Sequence, residues 1–131
     1  MTERRTLADR REQVTQKVRV ANRRTVYIST HADASPGELF VRVKGKDCTS
    51  EIVGLYDVLA RLASLALQYG APVETVGEML LGVRFEPAGP VTGHPAIKFC
   101  SSLPDLIGRH LLIECCGRGE LAQTPPGEAP Q

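Results

Sequence analysis

The segment Arg84-Phe85-Glu86-Pro87-Ala88-Gly89-Pro90-Val91-Thr92-Gly93-His94-Pro95 concentrates more chemistry than any other part of this 131-residue chain. An arginine grips a phosphate or carboxylate through paired hydrogen bonds, and glycines let backbone N–H groups come close to an anion. Arg84, Glu86, Gly89, Thr92 and Gly93 are therefore candidate ligand-binding residues. Arg84 and the glycine amides would meet the anionic group, and Glu86 or Thr92 a hydroxyl of the same ligand. The opposing reading is structural. Arg84 and Glu86 lie two apart in an extended piece, so they project from one face and can be spent on neighbours within the fold. Ser64 and Gln68, four apart on a predicted helix, are either polar ties or the floor of the same pocket.

Other chemistries have less footing. The chain has no Cys-x-x-Cys, and His31, His94 and His110 fall on a predicted strand end, a loop and a helix. His110 with Cys115 and Cys116 matches no common zinc spacing, so we expect no metal ligand and no cofactor. A redox role for the adjacent Cys115 and Cys116 requires a lowered thiol pKa, and Arg118 alone stands near them in sequence. Cys48 and Cys100 read as small buried apolar groups. There is no Gly-x-Ser-x-Gly, no Walker lysine loop and no carboxylate–histidine pair at a recognisable spacing. The expectation is a non-enzymatic protein, with a small hydrolase as an alternative, of a nucleotide if the resemblance described below sets its substrate.

The elements that must position these residues follow from periodicity. Val18, Val20, Val26, Ile28, Phe40, Val41 and Val43 predict a three-stranded antiparallel meander over 15–43, turning at Asn22-Arg23-Arg24 and at Ala34-Ser35-Pro36-Gly37-Glu38. After a cap at Thr49 or Ser50, Ile52, Leu55, Tyr56, Leu59, Leu62, Ala63, Ala66 and Tyr69 recur at helical spacing, predicting one buried face of a long helix closed by Gly70. A short helix opens at Pro72 and stops at Gly82, and a last one runs over 103–113. Residues 86–98, with three prolines and two glycines, read as a loop. The fold class is α+β: a small antiparallel β-meander packed against one long and two shorter helices.

Charge is uneven. Residues 1–24 hold eight Lys/Arg against three Asp/Glu, a balance of +5, while the rest of the chain carries −4. We read 1–14 as a basic, solvated arm, 15–116 as the folded domain and 117–131 as a disordered tail with one leucine. The arm holds no aromatic residue for stacking and its acids interrupt the arginines, which argues against a nucleic-acid partner. No apolar run approaches a membrane span and the first residues lack a secretory core, so a cytoplasmic protein is expected. Open sheet edges on so small a core predict a homo-oligomer.

Several stretches resemble a known family. Pro36-Gly37-Glu38-Leu39-Phe40, Gly54-Leu55 with Asp57, Ser64-Leu65-Ala66-Leu67-Gln68-Tyr69-Gly70-Ala71-Pro72, Arg84-Phe85-Glu86-Pro87 and Thr92-Gly93-His94-Pro95 occur in order. Ser102, Asp105, Ile107, Arg109 and Leu111 follow along the last helix. Together they resemble the C-terminal, TSCPD-type region of vitamin B12-dependent (class II) ribonucleotide reductases over about 15–113. In that family the region follows a large barrel that carries substrate, cobalamin and the radical cysteine, none of which fits in 131 residues. The spaced cysteines of the family's tails are also missing here. The resemblance thus implies a stand-alone accessory domain without reductase activity. It would bind a nucleotide or nucleotide-derived small molecule, as in a sponge that sequesters a defence-signalling nucleotide. The alternative is a protein-interaction module that assists a separate reductase subunit.

Overall fold

The structure, a computed structural model, describes residues 3–31 and 37–123. Eight-residue strands β1 (Gln13–Val20) and β2 (Arg24–His31) are followed by β3 (Leu39–Lys44), the long helix α1 (Ser50–Gln68) and the short α2 (Val73–Leu80). Then come β4 (Gly89–Thr92), β5 (Phe99–Cys100) and α3 (Leu103–Cys116). The strands make one antiparallel sheet in the order β3-β2-β1-β4-β5. The expected meander is present. The segment read as a loop over 86–98 contributes a fourth strand, with Val20 opposite Val91 and Arg19 opposite Thr92. The turn at 34–38 lies in part outside the described residues.

The first hairpin turns one residue earlier than the sequence suggests. Ala21 and Asn22 both adopt left-handed backbone, at φ 53° and 51°, and Arg23 N–H closes the turn on the Val20 carbonyl at 2.9 Å. That geometry matches the right-handed twist of the flanking strands, although alanine tolerates it poorly.

Strand alternation decides the layers. Val18, Val20, Val26, Ile28, Leu39, Val41 and Val43 point inward to meet helices, while Lys17, Arg19, Tyr27, Arg42 and Lys44 point outward. One sheet face is covered and the other is open, as antiparallel sheets permit. α3 is the central helix of the covered layer, with nine residues buried, including Leu103, Leu106, Ile107, Leu111 and Leu112. Ser102 caps it by accepting from Asp105 N–H, and Gly117 ends it in left-handed backbone. α2 crosses α3 where both lack side chains: a Cβ on Gly108 would lie 2.6 Å from the Gly77 carbonyl oxygen.

α1 departs from expectation. It buries Tyr56, Ala60 and Leu67, with Ile52, Ala63 and Ala66 partly covered against β3 and the core. Leu55, Leu62 and Tyr69, expected on the packed face, are exposed. The helix is apolar on nearly every side, so the periodicity could not choose which face turns inward.

Both termini are held further out than expected. Arg5 N–H donates to the Gln68 carbonyl, Arg4 Nε to the Gln68 side chain, and Arg11 pairs with the buried Glu38. The basic arm is thus anchored on the end of α1 and the start of β3, and its last two residues belong to β1. The tail expected to be disordered from 117 is ordered to 123. Residues Gly119–Leu121 form a 3-10 turn, and the Gln123 side-chain oxygen accepts from Lys98 and Phe99 N–H at 2.7 and 2.8 Å. Residues 124–131 lie outside the described residues. Among the described residues, no helix is long and apolar enough to cross a membrane.

Candidate functional site

The expected residues do not converge on one pocket. Gly82 N–H donates to Asp105 at 2.8 Å, and the Val83 carbonyl accepts from both Ser101 and Ser102 hydroxyls. This pins the extended piece to the first turn of α3 and leaves the Arg84 side chain exposed. Glu86 is also exposed and lies 3.9 Å from the Arg23 guanidinium, a surface contact of little strength. Gly89 and Thr92 are part of β4. Gly93, at φ 93°, passes so close to β1 that a Cβ would meet the Lys17 carbonyl at 3.0 Å. Its glycine is therefore accounted for by strand packing.

Ser64 and Gln68 sit on the far side, since α1 packs on β3 and two strands separate β3 from β4. Three strand spacings put them about 14 Å away across the sheet. They act as ties rather than as the floor of the Arg84 pocket. The Ser64 hydroxyl accepts from Leu39 N–H at 2.8 Å and donates to the Leu39 carbonyl at 3.1 Å. Gln68 donates to the Gly37 carbonyl and accepts from Arg4.

His94, His110 and Glu114 bring ligand-type atoms within 4.8 Å of one another, a grouping unseen in the sequence. The hydrogen bonds oppose a metal there. His94 Nδ1 accepts from Ala96 and Ile97 N–H, both at 3.0 Å, so it bears no proton. The ring's proton is on Nε2, which donates to His110 Nδ1 at 3.0 Å. Metal bound at Nε2 would leave an imidazolate unless the 94–97 turn broke. Burial lowers the pKa of both rings, with Lys98 adding to the effect at His94, and His110 falls to about 4. The pair is a neutral structural bridge between the segment after β4 and α3.

The four cysteines are thiols rather than disulfides. Burial raises Cys100 to about 11 and also raises Cys116, the direction opposite to the one a reactive pair needs.

A more coherent arrangement lies on the open side of β2 and β3. A cleft of about 850 Å³ is lined by Tyr27, Ser29, Phe40, Arg42 and Lys44 from the strands and Ser50, Val53, Gly54 and Asp57 from the start of α1. Strand register builds it: Tyr27 stands opposite both Lys17 and Arg42, and Ser29 opposite Phe40. The Lys17 and Lys44 ammonium groups lie 5.9 and 5.7 Å from the Tyr27 ring centre, within cation–π range. Thr49 caps α1 through Ile52 N–H, so the positive end of the helix faces the same region.

Lys44 also belongs to an adjoining cleft of about 630 Å³ with Arg19, Arg23, Lys46 and Asp47. Asp47 is taken by Arg24 and Arg23, whose hydrogen bonds hold its carboxyl below the usual range. Among the described residues, Arg19 donates only to neutral acceptors, Asn22 and Thr25. The joined clefts place an aromatic wall beside an excess of positive charge. Pattern reading missed Tyr27, Arg42 and Lys44 because only the β2–β3 register unites them. The available signal was the outward alternation Phe40, Arg42, Lys44.

Comparison with known proteins matches the TSCPD domain family profile to residues 2–114. The chain is similar to the vitamin B12-dependent ribonucleotide reductase of Bradyrhizobium diazoefficiens, with 36% identity over 134 residues, covering 98% of this chain and 10% of that protein. It is likewise similar to the protein of that name from Agrobacterium fabrum, with 36% identity over 124 residues, 93% of this chain and 10% of the relative. The one from Rhodopirellula baltica shows 30% identity over 94% of this chain and 12% of the relative. The chain thus spans about a tenth of the length of these curated relatives. No solved structure shows a significant match.

Proposed function

The chain belongs to the TSCPD domain family, and on that premise we propose that it is a non-enzymatic binding domain for a nucleotide or nucleotide-derived ligand. The observation that carries the reading is the joined cleft, where the Tyr27 and Phe40 rings stand beside Arg42 and Lys44. A base stacks on an aromatic face, and phosphates meet Lys44, Arg42 and, in the adjoining cleft, Arg19 and Lys46. Asp57 accepts hydrogen bonds from a ribose or from base N–H groups. The relatives are named as ribonucleotide reductases, which is consistent with nucleotide chemistry. Sequestration of a signalling nucleotide is the role such binding would serve.

Calorimetric titration of the full chain with nucleoside mono-, di- and triphosphates, cyclic dinucleotides and ADP-ribose tests this. Binding that weakens by about 1–2 kcal/mol in Arg42→Ala and Lys44→Ala is the expected result, as for a charge-assisted hydrogen bond on an exposed cleft. A flat trace across the panel refutes it and favours a module that contacts a separate reductase. If Arg84→Ala loses binding while Arg42→Ala does not, the site is the 84–93 segment instead.

A further inference from the structure

α1 carries an apolar stripe that the fold does not use. Leu55, Val58, Leu62, Leu65 and Tyr69 recur at steps of three, four, three and four, and all are exposed. Leu55 and Leu62 are 60% and 63% exposed, although the same helix already buries Tyr56, Ala60 and Leu67 on its other side. Alternating steps of three and four form the seam of paired helices, where each side chain fits between those of a facing helix. The stripe covers about 21 Å of helix, four turns. Beside it runs a groove of about 540 Å³ between α1 and the edge strand β3, where Val58, Leu62, Leu65 and Phe40 are joined by Arg4, Glu38, Asp57 and Arg61, so a charged margin borders the apolar stripe on the sheet side. Apolar surface this continuous marks an interaction site.

We propose that this face is the contact between two copies of the chain, with α1 packed antiparallel to α1 about a two-fold axis. Charge favours a second copy as the occupant. The stripe is flanked by Asp57 and Arg61, one of each sign, both exposed and without an ion pair among the described residues. The crossing that sets Leu62 against the second copy's Val58, and Leu55 against its Leu65, places each Arg61 on the same flank as the opposite Asp57. A two-fold contact requires such self-complementarity, with every pairing made twice. A highly charged partner would find no matching excess here. The inference needs no ligand, and its apolar seam lies outside the ligand cleft, with which the face shares Phe40 and Asp57 at its margin.

Sedimentation equilibrium on the full chain across micromolar concentrations tests it. The native chain should show the mass of a dimer. Leu62→Glu should give a monomer at the same concentrations, while Met79→Glu, on α2 and 77% exposed, should leave the dimer intact. Circular dichroism establishes that each variant is folded. If Leu62→Glu unfolds, Leu55→Arg one layer away gives the same reading. A native chain that stays monomeric overturns the proposal and leaves the stripe to a different protein. A dimer unaffected by a folded Leu62 or Leu55 variant overturns it equally.

Discussion

Lowering the pH from neutral should destabilise this fold well before its carboxylates titrate, and the buried histidine pair is the cause. His110 is held neutral, its pKa lowered from 6.5 to about 4 by burial, with His94 a smaller contribution. A group whose folded pKa lies below its unfolded value binds protons preferentially in the unfolded chain. The stability is complete above pH 6.5 and is lost as the pH falls from there towards 4. For a single group the loss approaches 1.4 kcal/mol per pH unit, so roughly 2 kcal/mol is gone by pH 5 and about 3 kcal/mol by pH 4. His94 is shifted the same way and adds to the slope. Glu38 and Asp47 are also tuned, but their pKa values are lowered by Arg11 and Arg24, so their contribution disappears only below the ordinary carboxylate values of 4.5 and 3.8. The interval between pH 6.5 and 5 therefore isolates the histidines. Urea unfolding at half-unit steps through that interval measures the slope. His110→Asn keeps an acceptor towards His94 Nε2–H but cannot titrate, so its slope should fall by about half or more. A flat native profile, or an unchanged slope in the variant, refutes the assignment of a neutral, hydrogen-bonded pair.

Other perturbations follow from local geometry. Gly108→Ala places a Cβ 2.6 Å from the Gly77 carbonyl oxygen and 2.9 Å from Leu81 N, so α2 must shift. Because both contacts are backbone, we expect a loss of about 1–3 kcal/mol by chemical denaturation. Ala21→Gly should stabilise by up to about 1 kcal/mol, because relief of left-handed alanine outweighs the added freedom of the unfolded chain; a lower melting temperature contradicts this. Ser64→Ala removes both hydrogen bonds to Leu39 and should lower stability by roughly 1–3 kcal/mol without altering nucleotide affinity. A Ser64→Ala variant that folds normally but loses affinity would return Ser64 to the binding site.

What was legible in the sequence was whatever one element expresses within itself. Alternating valines marked β1 to β3, and Thr49 and Gly70 bracketed α1, whereas α3 runs three residues past the expected end at 113 to Cys116, where Gly117 stops it. β4 was not legible, because Gly89-Pro90-Val91-Thr92 buries a single side chain, Val91, and has strand geometry only through its pairing with β1. The ends of the folded part were misjudged because Arg5 and Gln123 are held by bonds to distant groups, the Gln68 carbonyl and the start of β5. The candidate site shows the same division. Arg84 and Glu86 stand out in a linear reading, yet α3 holds the backbone around them and their side chains face solvent. Tyr27, Arg42 and Asp57 look ordinary in sequence and meet only through strand register and the seating of α1 on β3.

Residue-resolved NMR during titration with a nucleoside triphosphate or a cyclic dinucleotide tests the central claim most directly. The account predicts saturable shifts at Tyr27, Phe40, Arg42, Lys44 and Gly54, with Arg84 to Gly93 unmoved. Shifts confined to 84–93, or none with any nucleotide, would contradict it.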